Sequence, residues 1–267
     1  MALYEAYFDE SGTHDGSLAA VVGGYIVRSD DAVVMSRKWK RALDDLGLPF
    51  FHMVDCAHGA PPFDRLSKGK RIALEKRLIT LIKRYTKIGI AAIIPPIRNN
   101  GGINDDVYVS CIKSILIATG AQIAYHDPSG KVAVFIEKGH AREAQAMSQI
   151  MAWAKLHTNL VTGYGSADKT GLPLLQAADF LAWQIAKYVK DKVRKQRRPR
   201  EDYKSLVQHK SWFTYLAIEA EAEFAFMDED PHLESDERDK MLESLFKNGI
   251  STSAAVGAFY RQINTPS

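Results

Sequence analysis

The chain has 267 residues, with 35 Lys+Arg against 32 Asp+Glu and a formal charge of +3; 46% of it is hydrophobic and 25% charged. These proportions belong to folded globular proteins and exclude disordered and fibrous classes. A chain this long buries roughly three-quarters of its unfolded surface and needs no disulfide staples. Its two cysteines, Cys56 and Cys111, fit a reducing compartment. Met1–Glu10 carries three acids and no apolar core, unlike a signal peptide. Apolar stretches such as Leu18–Val27 and Ile88–Ile94 fall short of the roughly 18 residues a membrane span needs. The expectation is a cytoplasmic protein with no membrane partner.

In chain order, Leu3–Phe8 and Leu18–Val27 read as strands joined by a Gly/Asp/Ser-rich link. Asp30 or Asp31 caps a helix to about Leu46, and a short apolar piece, Pro49–Val54, follows. Ser67 opens a helix whose Ile72, Leu74, Leu78, Ile79, Leu81 and Ile82 form an apolar stripe. Lys87–Ile94 is a strand ended by Pro95-Pro96. Asp105 or Asp106 starts a long helix to about Tyr125, and Asp127–Gly130 turns into the strand Lys131–Glu137. His140–His157 reads as a helix, Thr158–Gly163 as a strand and Leu172–Arg194 as a helix. After Pro199 the chain reads as helical, and its aromatics, among them Trp212, Phe213 and Tyr215, fit a helical core.

Three leading strands followed by alternating helix and strand are the element order of the RNase H-like fold. The expected class is therefore α/β: an RNase H-like mixed sheet flanked by helices, over residues 1–200. A helical insertion (about 30–86) separates strands two and three, and a C-terminal helical appendage, 201–267, packs on the same domain.

Charge is unevenly spread. Lys187–Lys204 holds 9 bases and 3 acids, whereas Ala217–Glu243 holds 11 acids and 2 bases. The basic stripe, with Lys190, Lys192, Arg194, Lys195, Arg197, Arg198 and Arg200, suits the backbone of a nucleic acid; a solvated helix face is the plainer reading. The acidic segment 217–243 offers a surface to a protein partner or an internal cover for the stripe.

Three acids stand where a shared ion could sit. Asp9 and Glu10, in YFDESG, end the first strand, and adjacent strand residues point to opposite faces, so only one can face a given site. Glu137 ends KVAVFIE on a strand that this topology sets beside the first. Asp179 lies in LPLLQAADFLAWQIAKY, with Leu175, Gln176, Ala182 and Trp183 on its helical face. A carboxylate on so apolar a face needs a cation or hydrogen bonds from a loop backbone. Oxygen-only carboxylate clusters suit Mg²⁺ or Mn²⁺, and such ions serve phosphodiester hydrolysis. Asp105 and Asp106 serve as a helix cap or a fourth ligand.

The motifs YFDESG, FFHMVD, VFIEKG and LPLLQAADFLAW resemble an uncharacterised bacterial and phage family, domain of unknown function thirty-eight hundred, placed with the RNase H-like superfamily. The resemblance spans roughly residues 3–190. It implies Asp9 and Asp179 as metal carboxylates, with Glu137 between them and Glu10 beside Asp9. It also points to His52, rather than the other histidines, as a group that handles a proton or positions a phosphate.

The function expected is a metal-dependent nuclease acting on DNA or RNA through carboxylate-held Mg²⁺ or Mn²⁺. The alternatives are a non-catalytic nucleic-acid- or protein-binding module on the same fold, in a system of defence against foreign DNA, and a hydrolase or transferase using His52 and Cys56. The spacing of His52, Cys56 and His58 is poor for zinc. Gly163–Gly171 lacks the Gly-Lys-Ser/Thr of a phosphate loop and reads as a connector at the site edge, from which Asp168 and Lys169 could touch substrate. His140 and Arg142 contact a phosphate or begin the helix.

Overall fold

The computed structural model describes residues 2–13, 17, 20–94, 106–193, 200–207 and 212–217. Strands β1 (Leu3–Ser11) and β2 (Ala20–Arg28) are followed by helices α1 (Ser29–Asp44), α2 (Met53–His58) and α3 (Lys68–Tyr85). Then come β3 (Thr86–Ile94), α4 (Asp106–His126), β4 (Lys131–Glu137), α5 (Glu143–Leu156) and β5 (Val161–Ala167). Helices α6 (Leu175–Val193) and α7 (Glu201–Val207) and strand β6 (Trp212–Ala217) end the described chain.

The strands form one sheet in the order β5-β4-β1-β2-β3-β6. β2 runs antiparallel to β1 and β3, while β4 pairs parallel with β1 and β5 with β4. This is the mixed α/β sheet of an RNase H-like fold, and α1, α2 and α3 fill the interval between the second and third strands.

Each face of the sheet carries its own core. In β4, Val132, Val134 and Ile136 alternate with half-buried residues, the two-residue period of a pleated strand. With Ala6 and Phe8 of β1 they pack against α4 and α5 through Ile112, Ile115, Ala146 and Ile150. The other face meets α1, α2, α3, α6 and α7. Here Met35, Trp39, Ala42 and Leu43 supply the apolar stripe of α1, and Leu74, Leu78, Ile79 and Ile82 that of α3. Ser67 caps α3 as expected, its hydroxyl accepting from Lys70 N at 3.3 Å. Ile72 departs from the expected stripe and is exposed. Helix α6 lies close against the sheet at Gly23, where a Cβ would stand 3.4 Å from Ala182 Cα.

Three elements differ from the sequence expectation. Residues 158–160 form a turn and the strand follows at Val161–Ala167. Gly163 and Gly165 sit inside that edge strand, where main-chain pairing with β4 does not require their side chains. Residues 212–217 form a strand parallel to β3, because a run of aromatic and β-branched residues fits an open sheet edge. Helix α4 exceeds the apolar length expected: among the described residues it alone is long and apolar enough to cross a membrane, with mean hydropathy 1.5. Dispersed Ser, Lys, Thr and Gln hide that run in the sequence, and its Cys111, Ile112, Ile115 and Ile123 are buried in the sheet core.

Candidate functional site

Parallel pairing of β1 with β4, Phe8 opposite Ile136, brings the ends of the two strands together. Tyr7 and Phe135 stack at 5.4 Å on the α6 side, while Phe8 and Ile136 enter the opposite core. Strand alternation then turns Asp9 and Glu137 toward α6. Asp179, one turn into that helix, completes the group; Asp9 and Asp179 are buried and Glu137 is half-buried. At their centre stands the Lys169 ammonium, 3.0 Å from Asp9 Oδ2, 2.9 Å from Glu137 Oε2 and 3.3 Å from Asp179 Oδ1. Glu10 leaves the strand on the other side, yet one oxygen each from Asp9, Glu10 and Glu137 lie within 4.8 Å of one another. Pairing of β1 with β4 stops at Phe8 and Ile136, so on that side no neighbouring strand keeps the two acids apart.

Two residues on one face of α6 fasten the insertion to this centre. Gln176 Oε1 accepts from Trp39 Nε1 and from Phe51 N, both at 2.8 Å, and Gln176 Nε2 donates to Lys169 O at 2.7 Å. Three residues on, Asp179 Oδ2 accepts from Met53 N at 2.7 Å. Asp179 thus bonds a loop backbone and faces a cation together. Asp168 points away from the carboxylates: its Oδ1 accepts from Thr170 N at 2.9 Å and Gly171 N at 2.7 Å, folding the turn that presents Lys169.

Burial dominates the electrostatics. It pushes the Asp9 carboxyl well above the aspartate range, aided by a hydrogen bond to Glu137 and opposed by the Lys169 charge. Burial also raises Glu10, with the Glu137 charge next in effect. Asp179 is raised by burial against the pull of Lys169, His52 and the Met53 N–H. For Lys169, burial opposes the charge, but Asp179, Asp9 and Glu137 outweigh it and hold the ammonium above the ordinary lysine range.

The donor set is all oxygen and hard. Asp9 Oδ2, which the Lys169 ammonium meets as an ion pair, and Glu10 Oε2 are buried polar atoms that no hydrogen bond of ordinary geometry reaches among the described residues. A carboxylate group that already gathers one cation, with the Glu10 Oε2 oxygen still unsatisfied beside it, fits a small divalent ion.

His52 stands at the rim, 34% exposed along its side chain, with Nε2 3.8 Å from Asp179 Oδ1. Its Nδ1 lies 2.8 Å from Asp55 Oδ2, and that acceptor-only carboxylate places the ring proton on Nδ1. Cys56 is fully buried, its Sγ 3.5 Å from Glu75 Oε1, and burial pushes the thiol far up, which makes it a poor nucleophile. His58 bonds Val54 O at 2.9 Å on the surface. His140 stacks on Tyr108 with ring centroids 3.8 Å apart and accepts from Arg142 N at 3.0 Å, so it begins the α5 turn. Asp106 opens α4; Asp105 lies outside the described residues.

Of the basic stripe, Lys190 is exposed on α6 and Lys192 belongs to the same helix. Arg194, Lys195, Arg197 and Arg198 lie outside the described residues, as does the acidic segment beyond Ala217. Arg200 is engaged already: Nη2 is 2.6 Å from Asp202 Oδ2, and the guanidinium lies over the Trp183 ring. Sequence reasoning missed the central place of Lys169 and the fastening role of Gln176. A Lys between a strand and the QAAD helix was the one available signal.

No family model matches the chain, and no curated protein does. The resemblance to domain of unknown function thirty-eight hundred therefore gains no support from that side. Among solved structures, the chain is similar to RNase HII of Archaeoglobus fulgidus, from its complex with PCNA, at 13% identity and a TM-score of 0.39, over 94% of this chain and 92% of that one. It is similar to ribonuclease H2 of Pyrococcus horikoshii at 9% identity and a TM-score of 0.39, over 98% and 100%.

Proposed function

We propose that this protein is a metal-dependent nuclease, hydrolysing phosphodiester bonds of DNA or RNA. The observation that carries the reading is the convergence of Asp9, Glu137 and Asp179, from β1, β4 and α6, on a single cation position. These three residues would hold Mg²⁺ or Mn²⁺, with Glu10 beside them. Divalent ions there would activate water as a nucleophile and stabilise the leaving oxygen. The chain's own groups do the rest. Asp179, tied to Met53 N, and Gln176, tied to Phe51 N, hold the site's wall in register. Asp55 orients His52 so that Nε2 faces the carboxylates, where it moves a proton or meets a phosphate oxygen.

The stripe that follows would hold the nucleic-acid backbone away from the cut. Lys190 is eleven residues beyond Asp179 on one helix, hence about 16 Å along its axis. That matches about five phosphate intervals of a duplex strand. Segment 217–243 would offer a protein partner its acidic surface. Two free, buried thiols suit the cytoplasm.

The test is incubation with Mn²⁺ and labelled single- and double-stranded DNA and RNA, beside Asp9→Asn and Asp179→Asn variants of unchanged circular dichroism. Cleavage by the wild type alone is expected. Full activity in either variant overturns the assignment. One observation favours a second reading, a binding module without catalysis: Lys169 already neutralises part of the carboxylate charge. Metal-independent retention of a nucleic acid, unaffected by Asp9→Asn and without cleavage, would establish that alternative.

A further inference from the structure

Lys169 is an unusual occupant for the middle of a carboxylate group that is to hold metal. Its backbone is pinned twice, by the Asp168 turn and by Gln176 Nε2 on its carbonyl. Its side chain is another matter. It reaches inward from a surface loop, only 12% exposed, and among the described residues its ion pairs are with Asp9, Glu137 and Asp179. The same oxygens, Asp9 Oδ2, Glu137 Oε2 and Asp179 Oδ1, are those a divalent ion would need. An ammonium 2.9–3.3 Å from all three leaves no room for a second cation at that point, and two cations in contact would repel strongly in so buried a place.

We propose that Lys169 is a tethered cation that exchanges with the divalent ion: it fills the carboxylate site in the metal-free protein and is expelled to the rim when metal binds. This rests on the nuclease reading, in that it takes the carboxylates as metal ligands. The exchange keeps the buried carboxylates compensated in both states, which matters because uncompensated buried charge is costly. A four-carbon stem on a fixed loop lets the ammonium leave without moving the backbone. Once outside, the ammonium stands at the edge of the site from which an anionic substrate approaches, so metal loading also delivers a phosphate-binding group. Lys169 is then a substrate-binding residue whose availability depends on the metal.

The direct test uses the unmodified full chain. Protein stripped with EDTA, or saturated with Mg²⁺, is pulsed with the N-hydroxysuccinimide ester of acetic acid, and lysine acetylation is read by peptide mass spectrometry. Lys190, exposed on α6, is the internal reference. Acetylation of Lys169 is expected to rise about tenfold or more with metal while Lys190 is unchanged, since one buried unit charge is being replaced. A Lys169 rate that metal does not alter overturns the exchange. As a second measurement, Lys169→Met should bind Mn²⁺ about tenfold tighter by titration calorimetry, the competing charge being gone. Equal or weaker binding also overturns it. Where Lys169→Met is unfolded in EDTA, the Mn²⁺ concentration that refolds it gives the affinity. If neither protein binds Mn²⁺ at millimolar concentration, the metal reading fails and the exchange with it. If both bind and Lys169 does not respond, the exchange alone fails.

Discussion

Gln176→Leu removes an amide that sits at the junction of α1, the approach to α2, and the Lys169 turn. Leucine nearly fills the volume but accepts nothing. Trp39 Nε1 and Phe51 N, each donating to Gln176 Oε1 at 2.8 Å in a buried setting, would then lack an acceptor. Each buried donor left unsatisfied costs about 1–3 kcal/mol, so the pair implies a loss of about 2–6 kcal/mol, a large share of the 5–15 kcal/mol typical of a domain. The Lys169 carbonyl, only part-buried, can turn to water and adds little. Urea unfolding followed by tryptophan fluorescence would read the loss as a lower midpoint at constant slope. A loss below about 1 kcal/mol would refute the claim that this amide is the fastener.

Further outcomes follow from the same geometry. Burial raises Asp9 in the folded protein, so its contribution to stability is present below the ordinary aspartate range and is lost as pH rises through the raised value. In EDTA, Asp9→Asn should therefore melt higher than wild type at pH 8, and the gap should narrow as pH falls. Glu10, Asp179 and Lys169 face Asp9 and shift with it, so the gap reports the carboxylate group as a whole, whereas His126, His140 and His157, each lowered by burial, act alike in both proteins; a variant that melts lower at pH 8 contradicts the argument. His52→Ala should slow cleavage by about a hundredfold, and Asp55→Asn by less, with Mn²⁺ affinity unchanged in both; equal rates in His52→Ala and wild type remove the histidine from the mechanism. Neutralising Lys190 and Lys192 with Arg194, Arg197 and Arg198 should weaken nucleic-acid binding and flatten its salt dependence. An unchanged slope would make the stripe a solvated face.

The strands that build the sheet's centre were readable because their chemistry is local. KVAVFIE alternates cleanly and forms the strand Lys131–Glu137; Ser67 announces α3 by a side-chain cap. Edge elements were harder. Gly163 and Gly165 look like loop residues until β4 supplies the partner strand, and residues 212–217 need β3 beside them. Asp9, Glu137 and Asp179 could be singled out because acids at strand ends and on an apolar helix face run against the local pattern. Their convergence on one cation depends on pairing across the sheet. Lys169 was opaque: a lysine in a glycine-containing turn is ordinary, and only the folded loop aims it inward. Gln176 was similarly silent, since its partners Trp39 and Phe51 are more than a hundred residues away.

Those distances along the chain govern when the site comes into being during synthesis. Asp9 meets Glu137 only after β4 has paired with β1, and the wall at Phe51–Met53 closes only when residues 176–179 arrive, 125 and 126 positions later. Contacts so distant in sequence carry a heavy loop-closure cost and form late. Ribosome-bound chains ending before α6 therefore carry Asp9 and Glu137 without Asp179, and cannot assemble the three-carboxylate centre. The order of residues along the chain acts as a timer, withholding the complete centre from a half-made protein.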